Sequence, residues 1–446
     1  MSARTIFALA TPPGRGAVAI IRISGEGARD ALANLGVRRP APRRASLKRL
    51  TAADGRPLDD ALVLWFPAPH SFTGEDCAEL HLHGGPAIVD AVGEALMTAG
   101  LAPAGPGEFT RRAFENGRLD LAQAEAVADL VEAETSAQAR QALGQLHGDL
   151  GLRYRDWRRR LVAILAQLEA AVDFPDEEVP ADIHLQARAD IADLRREVDE
   201  ALAGASRGRQ VREGYRIAAI GAPNAGKSTL YNSLCGRAAA IVTPEPGTTR
   251  DVLEARLDIA GYAVLLADTA GLREGAGSIE AEGVRRARQW AGGADLRLWL
   301  VDRSGARDWR AAADLVRAGD LCLFAKADLP SGDGVAEARA FADDRGIETM
   351  DASVSRDGTD EVLAWIASRV TSAMAGADFP AVTRARHAEA LSEAAEALAR
   401  AERRLPEPEL AAEDMRLAVR ALARISGEID AEAVLDALFG SFCIGK

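Results

Sequence analysis

Cysteine is scarce in this chain. Among 446 residues there are four, Cys77, Cys235, Cys322 and Cys443. They stand far apart and no Cys-x-x-Cys occurs, so neither a zinc site nor a disulfide framework is indicated. Long apolar runs are missing too. No stretch has the length of an uninterrupted membrane span, and Met1 to Ala10 lacks the layout of a signal peptide. The expectation is a cytoplasmic protein without a membrane partner. Positive charge is in deficit, with 54 Lys and Arg against 67 Asp and Glu, a net charge of −13. A chain this acidic does not hold nucleic acid by bulk electrostatics, so any RNA contact needs a local basic patch or a partner. No internal repeat of fixed period is evident. The remainder is 48 % hydrophobic and 27 % charged, ordinary for a globular chain whose length calls for roughly two to four domains.

One stretch organises the rest. Gly221 to Ser228 reads Gly-Ala-Pro-Asn-Ala-Gly-Lys-Ser, the G-x-x-x-x-G-K-[ST] phosphate-binding loop. Tyr215 to Ile220 before it reads as a short buried strand, and Thr229 to Leu234 after it as the start of a helix. Gly221 and Gly226 let the backbone curl so that its N–H groups face phosphate oxygens. The helix offers its positive end to the same anion. Lys227 then reaches the β- and γ-phosphates, and the Ser228 hydroxyl ligates Mg²⁺.

Three further elements follow in order. Gly247-Thr248-Thr249-Arg250-Asp251 supplies a Thr able to close onto Mg²⁺ when the γ-phosphate is present. Asp268-Thr269-Ala270-Gly271 follows an apolar strand, Ala263 to Ala267, placing a carboxylate opposite the loop. Lys326-Ala327-Asp328 follows the strand Leu321 to Ala325. The Asp328 carboxylate accepts two hydrogen bonds from guanine and would be left unpaired against adenine, which argues for GTP. Two irregularities stand out. The guanine motif usually begins with Asn, whose carboxamide ties the base loop to the phosphate loop. Here the position holds Ala325, so weaker guanine-nucleotide binding with retained specificity is expected. Leu272 stands where Ras-type switches carry Gln, so something else must place the attacking water, and Glu280 and Glu282 in the nearby Gly-rich segment can reach it. The loop that usually follows is blurred to Asp351-Ala352-Ser353-Val354-Ser355.

Around this core the chain reads as follows. Ala10 to Gly16 is turn chemistry. Ala17 to Ile23 is a strand carrying one charge, Arg22, which needs a partner or solvent. Ala61 to Phe66 and Cys77 to His83 are further strands, the latter placing Cys77, Glu79, His81 and His83 on one face. The two histidines are metal ligands or members of a polar sheet face. Ala87 to Ala99 is a helix. From Leu119 the composition turns helical: Leu119 to Leu146, Leu152 to Val172 (stopped by Pro175) and Ile183 to Ser206, then a basic linker from Arg207 to Gly214. Ala385 to Leu405, Glu413 to Arg424 and Ala431 to Phe439 are helical again. Two basic clusters, Arg153 to Arg160 and Arg207 to Arg216, meet RNA phosphates or form solvated helix faces. The fold class is a multidomain α+β and α/β chain. It has an N-terminal α+β domain (1–118), a discontinuous helical domain (119–213 and 374–446) and an inserted Ras-like P-loop GTPase domain (214–373).

The strings Thr11-Pro-Pro-Gly-Arg-Gly, Phe72-Thr-Gly-Glu-Asp, His83-Gly-Gly-Pro, Pro106-Gly-Glu-Phe, Leu119-Asp-Leu-Ala-Gln-Ala-Glu-Ala, Asp173-Phe-Pro-Asp-Glu-Glu and the tail Phe442-Cys-Ile-Gly-Lys446, joined to the nucleotide motifs, resemble the MnmE (TrmE) family of tRNA-modification GTPases. The resemblance implies an N-terminal folate-binding and dimerisation domain. Its folate contacts match Arg22, Glu79, Arg118 and Lys446, for 5-formyl- or 5,10-methylene-tetrahydrofolate. It implies GTP contacts at Gly221, Asn224, Ala225, Gly226, Lys227, Ser228, Thr229, Thr243, Thr248, Thr249, Asp268, Thr269, Ala270, Gly271, Lys326, Asp328 and Ser353. Mg²⁺ matches Ser228 and Thr249, and K⁺ matches Asn224, Thr243, Glu245 and Thr248. Glu280 matches the water-orienting residue, acting with Lys227 and Thr249, and Cys443 is a nucleophile or a buried anchor. The implied partners are a second copy, the flavoprotein MnmG with its FAD and NADH, and tRNA held mainly by that flavoprotein. The implied product carries an aminomethyl or carboxymethylaminomethyl group at C5 of the wobble uridine. The rival reading is a regulatory RNA-associated GTPase without one-carbon chemistry. A further one is a folate-dependent transferase with a degenerate nucleotide domain.

Overall fold

The structure, a computed structural model, describes residues 4–38, 40–173, 183–240, 253–268, 278–353, 358–375, 380–429, 432–440, 442, 444 and 445. The chain forms two compact units. One consists of 1–131, 145–196 and 390–446, the other of 132–144 and 197–389.

The first unit holds a six-stranded sheet of β1 (Ile6–Leu9), β2 (Val18–Ser24), β3 (Ser46–Thr51), β4 (Pro57–Phe66), β5 (Cys77–His83) and β6 (Ala102–Pro103), ordered β3-β4-β5-β2-β1-β6. All pairs are antiparallel except β1 with β6. Side chains alternate across a strand, so Ile21 and Ile23 of β2 and Ala78, Leu80 and Leu82 of β5 share one face. That face is buried with residues from helices α1 (Ala28–Asn34) and α2 (Pro86–Thr98), among them Leu32, Val92 and Leu96. The opposite face carries the polar residues Arg22, Glu79 and His81. A short helix, α3 (Glu108–Glu115), follows.

The helices after it are α4 (Leu121–Glu132), α5 (Ser136–Leu146), α6 (Asp149–Asp173) and α7 (Ile183–Ala203). The single helix expected from Leu119 to Leu146 is thus two. Thr135 and Gln138 cause the break: the Gln138 side-chain oxygen accepts from the Thr135 N–H at 3.1 Å, and the Thr135 hydroxyl from the Gln138 N–H at 3.4 Å. This is a capping box. Asp120 and Gln123 build the same device at the start of α4. The stretch from Arg207 to Gly214 is not a linker. Arg207 to Glu213 lie in helix α8 (Ala205–Glu213), capped by Gly214, where Val211 is buried and Gly208 abuts Val382 and Pro380. Its charges hid the helix in the sequence.

The second unit is built on β7 (Tyr215–Gly221), β8 (Ala239–Ala240), β9 (Leu253–Ile259), β10 (Tyr262–Asp268), β11 (Leu296–Asp302), β12 (Leu321–Ala325) and β13 (Glu348–Ala352), ordered β13-β12-β11-β7-β10-β9-β8. β7 runs parallel to both β10 and β11, and β12 and β13 continue the parallel set. Strands buried on both faces read as unbroken apolar runs, as Leu321 to Ala325 does. Leu298, Leu300 and Leu323 pack on one side, and Trp299, Phe324 and Val301 on the other. Besides α8 and most of α5, this unit holds the helices α9 (Lys227–Arg237), α10 (Ser278–Gly293), α11 (Val335–Asp344) and α12 (Thr359–Met374). The strand order reverses at β7, so the carboxyl end of β7 is the switch point where such sheets take ligands.

Among the described residues three more helices follow, α13 (Ala385–Arg404), α14 (Pro408–Ser426) and α15 (Glu432–Gly440). In the first unit α14 packs along α6, with ion pairs Arg416–Glu169 and Arg158–Glu428. No helix among the described residues is long and apolar enough to cross a membrane.

Candidate functional site

At the end of β7 the backbone makes a cradle. Gly221 has φ +142°, Asn224 +60° and Gly226 +104°. A Cβ on Gly221 would lie 2.3 Å from the Leu300 carbonyl oxygen, so only glycine fits. Gly226 caps α9 without a side-chain hydrogen bond, which leaves first-turn N–H groups for an anion. Lys227 is 6 % exposed, and its ammonium donates to the carbonyls of Gly221 at 3.0 Å and Ala222 at 2.7 Å. A buried ammonium needs such oxygens, and phosphate oxygens are better ones. The Ser228 hydroxyl donates to Asp268 Oδ2 at 2.6 Å, and Asp268 is 1 % exposed. A hydroxyl and a carboxylate are the hard oxygen donors that Mg²⁺ selects, so these residues fit that ion. Thr243, Glu245, Thr248, Thr249, Thr269, Ala270 and Gly271 lie outside the described residues. Glu280 is in the first turn of α10, and its side chain lies outside the description as well.

Two strands from β7 lies the loop Lys326-Ala327-Asp328. Asp328 accepts from the Ser353 hydroxyl at 2.8 Å, and the Ala327 N–H donates to the Ala352 carbonyl at 3.3 Å. Ala325 is buried at the end of β12, and a Cβ built on Gly226 would lie 3.7 Å from its methyl. A residue the sequence reading passed over, Asp302 at the end of β11, binds the Lys326 ammonium at 2.6 Å. Burial pushes the Asp302 carboxyl up, but hydrogen bonds from Lys326 and Ser304 prevail and hold it below the usual carboxylate range. The signal was present in the sequence: Asp302 ends an apolar strand, as Asp268 does.

On the open face of the first sheet, Arg22 donates through Nε and Nη2 to Glu79 Oε1 at 3.1 and 3.0 Å. Its guanidinium lies over the Phe72 and Phe109 rings at 5.3 and 5.8 Å. The charge that a strand interior makes costly is thus paired and stacked. His81 Nε2 is 3.5 Å from Glu79 Oε2, too poorly aligned for a hydrogen bond, while His83 Nδ1 meets Asp59 Oδ1 at 2.7 Å. Among the described residues no group of three or more His, Cys, Asp or Glu is placed to hold a metal. The Arg118 stem runs over Gly74. Nearby, Arg112 is 7 % exposed and bound to Glu75 and Glu108, a network that sequence reasoning missed. The C-terminal tail reaches the same sheet. Phe442 is buried against Phe439, Ile444 bridges to Pro106, and Gly445 lies against the Leu9 carbonyl. The register then puts Arg22 opposite Ala8, one residue away. Cys443 and Lys446 lie outside the described residues.

The basic clusters are engaged within the chain. Arg155 pairs with Asp120, Arg158 with Glu428, Arg159 and Arg160 with Asp156, and Arg209 and Arg212 with Glu213. These pairs favour solvated helix faces over a nucleic-acid patch.

A mostly parallel sheet whose switch-point strand ends in a glycine cradle, with a buried Lys, a Ser–Asp pair and a Lys-x-Asp loop two strands away, defines a P-loop nucleotide-binding protein. Comparison with known proteins narrows this. The description "MnmE helical domain" matches residues 121–443, and "GTP-binding protein TrmE N-terminus" matches residues 5–118. The chain is 56 % identical to the tRNA modification GTPase MnmE of Phenylobacterium zucineum, with 99 % of each chain covered. It is 54 % identical to the protein of that name from Caulobacter vibrioides and 49 % to that from Paramagnetospirillum magneticum, again over 99 % of each chain. The chain belongs to the MnmE (TrmE) family of tRNA modification GTPases.

Proposed function

We propose that this chain is a K⁺-stimulated GTP hydrolase that works in tRNA wobble-uridine modification. The observation that carries the reading is the cradle at the end of β7, where Lys227, Ser228 and Asp268 converge within reach of one phosphate chain. Lys227 leaves its two carbonyl acceptors for β- and γ-phosphate oxygens and stabilises the charge that builds on them. Ser228, backed by Asp268, would hold Mg²⁺ together with Thr249, and the ion would supply charge neutralisation. Asp328 accepts from the guanine N1–H and N2 amino group, a pairing adenine cannot make. Glu280 orients the attacking water in place of the Gln that Leu272 replaces. Asn224, Thr243, Glu245 and Thr248 would hold K⁺, which would supply there the positive charge an arginine finger otherwise provides.

Hydrolysis drives closure between two copies of the chain rather than the carbon transfer itself. Reduced folate, 5-formyl- or 5,10-methylene-tetrahydrofolate, binds at Arg22, Glu79, Arg118 and Lys446. The approach of Gly445 to the Leu9 carbonyl of β1 and the aromatic stacking of Arg22 support this reading. MnmG brings FAD, NADH and most of the tRNA contact, in keeping with the net charge of −13 and the internally paired arginines. The setting is the cytoplasm.

Steady-state GTP hydrolysis at matched ionic strength in KCl and NaCl, with ATP as control, tests the reading. Stimulation by K⁺ with ATP inert is expected. Equal rates in both salts would remove the K⁺ mechanism and move the protein towards a generic regulatory GTPase. No hydrolysis in either salt would revive a degenerate nucleotide domain.

A further inference from the structure

The loop that reads the base lacks its usual carboxamide, yet it is not slack. Two residues at the end of β11, Asp302 and Arg303, grip it. Asp302 Oδ2 holds the Lys326 ammonium at 2.6 Å, while its other oxygen accepts from the Ser304 N–H at 2.9 Å and hydroxyl at 2.7 Å. The Arg303 N–H donates to the Ala325 carbonyl at 3.0 Å, and its guanidinium to the Ala327 carbonyl at 3.3 Å. That guanidinium also lies 3.7 Å from Asp351. Lys326 sits at φ +60°, a conformation a non-glycine residue keeps only when its surroundings impose it. The grip therefore falls on the residue that most needs one. Meanwhile the Ala325 methyl faces Gly226 of the cradle, where a carboxamide would have reached.

We infer that Asp302 is a positioning residue for guanine recognition: it fixes Lys326, and through it Asp328, from the β11 side, replacing the tie to the phosphate loop that Ala325 cannot make. The inference rests on the guanine-nucleotide reading above and assigns the means by which specificity survives. Asp302 touches no nucleotide atom in this account. It acts through Lys326, so its loss falls on base reading and spares phosphate binding.

The test is equilibrium binding of GDP, ADP and tripolyphosphate to the full chain and to Asp302→Ala, Asp302→Asn, Ala325→Asn and the Asp302→Ala/Ala325→Asn double variant, with thermal melting of each. Asp302→Ala is expected to weaken GDP about tenfold, with Asp302→Asn in between, while tripolyphosphate affinity and melting temperature hold. Ala325→Asn alone changes GDP affinity less than about threefold, yet it restores most of the loss in the double variant. The inference is overturned if Asp302→Ala leaves GDP affinity unchanged. It is equally overturned if GDP and tripolyphosphate weaken in the same proportion, or if Ala325→Asn gives no rescue. A parent chain that binds GDP no better than ADP overturns the guanine reading itself, and this inference with it.

Discussion

The two halves of the nucleotide site are built from different materials. The phosphate cradle is mainly a backbone object. Gly221, Asn224 and Gly226 supply its positive φ angles, and Lys227 binds carbonyls of the loop itself. The base loop is a side-chain object, held by Asp302, Arg303 and Ser353 from two other strand ends. A backbone object tolerates almost no change in its glycines and writes a contiguous signature. A side-chain object can exchange one brace for another, as the loss of a carboxamide at Ala325 illustrates, and its signature is scattered.

Substitutions can break or sharpen this contrast. The largest effect is expected in the cradle. Lys227→Ala should lower the GTP hydrolysis rate by about 10²–10³ in single-turnover assays, because a charge aimed at the reacting phosphates is lost. Next comes Asp328→Asn, which turns an acceptor into a donor. GDP affinity should fall on the order of a hundredfold while a xanthine nucleotide, with a carbonyl at C2, gains. Retained GDP preference would place base reading elsewhere. Arg22→Gln should weaken reduced-folate binding by about tenfold, measured by calorimetry, and leave GTP hydrolysis unchanged. A change in hydrolysis would contradict the separation of the two sites.

The smallest effects are in pH and thiol reactivity. Asp302 is held below the usual carboxylate range, with burial opposed by the stronger pull of Lys326 and Ser304. A depressed carboxyl keeps its contribution above its unfolded pKa and loses it as pH falls through the folded one. GDP affinity should therefore be flat from pH 8 to about 5 as far as this residue is concerned. Burial pushes the Cys322 thiol up to about 12 and raises Cys235 as well. Alkylation at pH 8 should leave Cys322 unmodified until the chain is unfolded, as mass spectrometry of the labelled peptides would show.

The same contrast explains what could be read from the sequence. The strands Tyr215 to Ile220, Ala263 to Ala267 and Leu321 to Ala325 were legible because strands buried on both faces are continuous apolar runs. The glycine cradle was legible because its residues adjoin. The alternation in Cys77 to His83 set Glu79 and His81 on the open face, where Arg22 meets Glu79. The break at Thr135 was missed because an Ala- and Gln-rich run hides a capping box inside a helical composition. α8 was missed because Arg207, Arg209 and Arg212 masked a buried stripe of Gly208 and Val211. Asp302 ends an apolar strand as Asp268 does, but it was missed because its partner is 24 positions away and nothing local joins the two.

The account stands or falls on guanine being read at Asp328 with an alanine at position 325. Equilibrium titration of the full chain with GDP and ADP measures this directly. GDP is expected to bind at least about a hundredfold tighter than ADP, since adenine leaves the Asp328 carboxylate unpaired. Equal affinity for the two would contradict it and reduce the site to a phosphate cradle without a base reader.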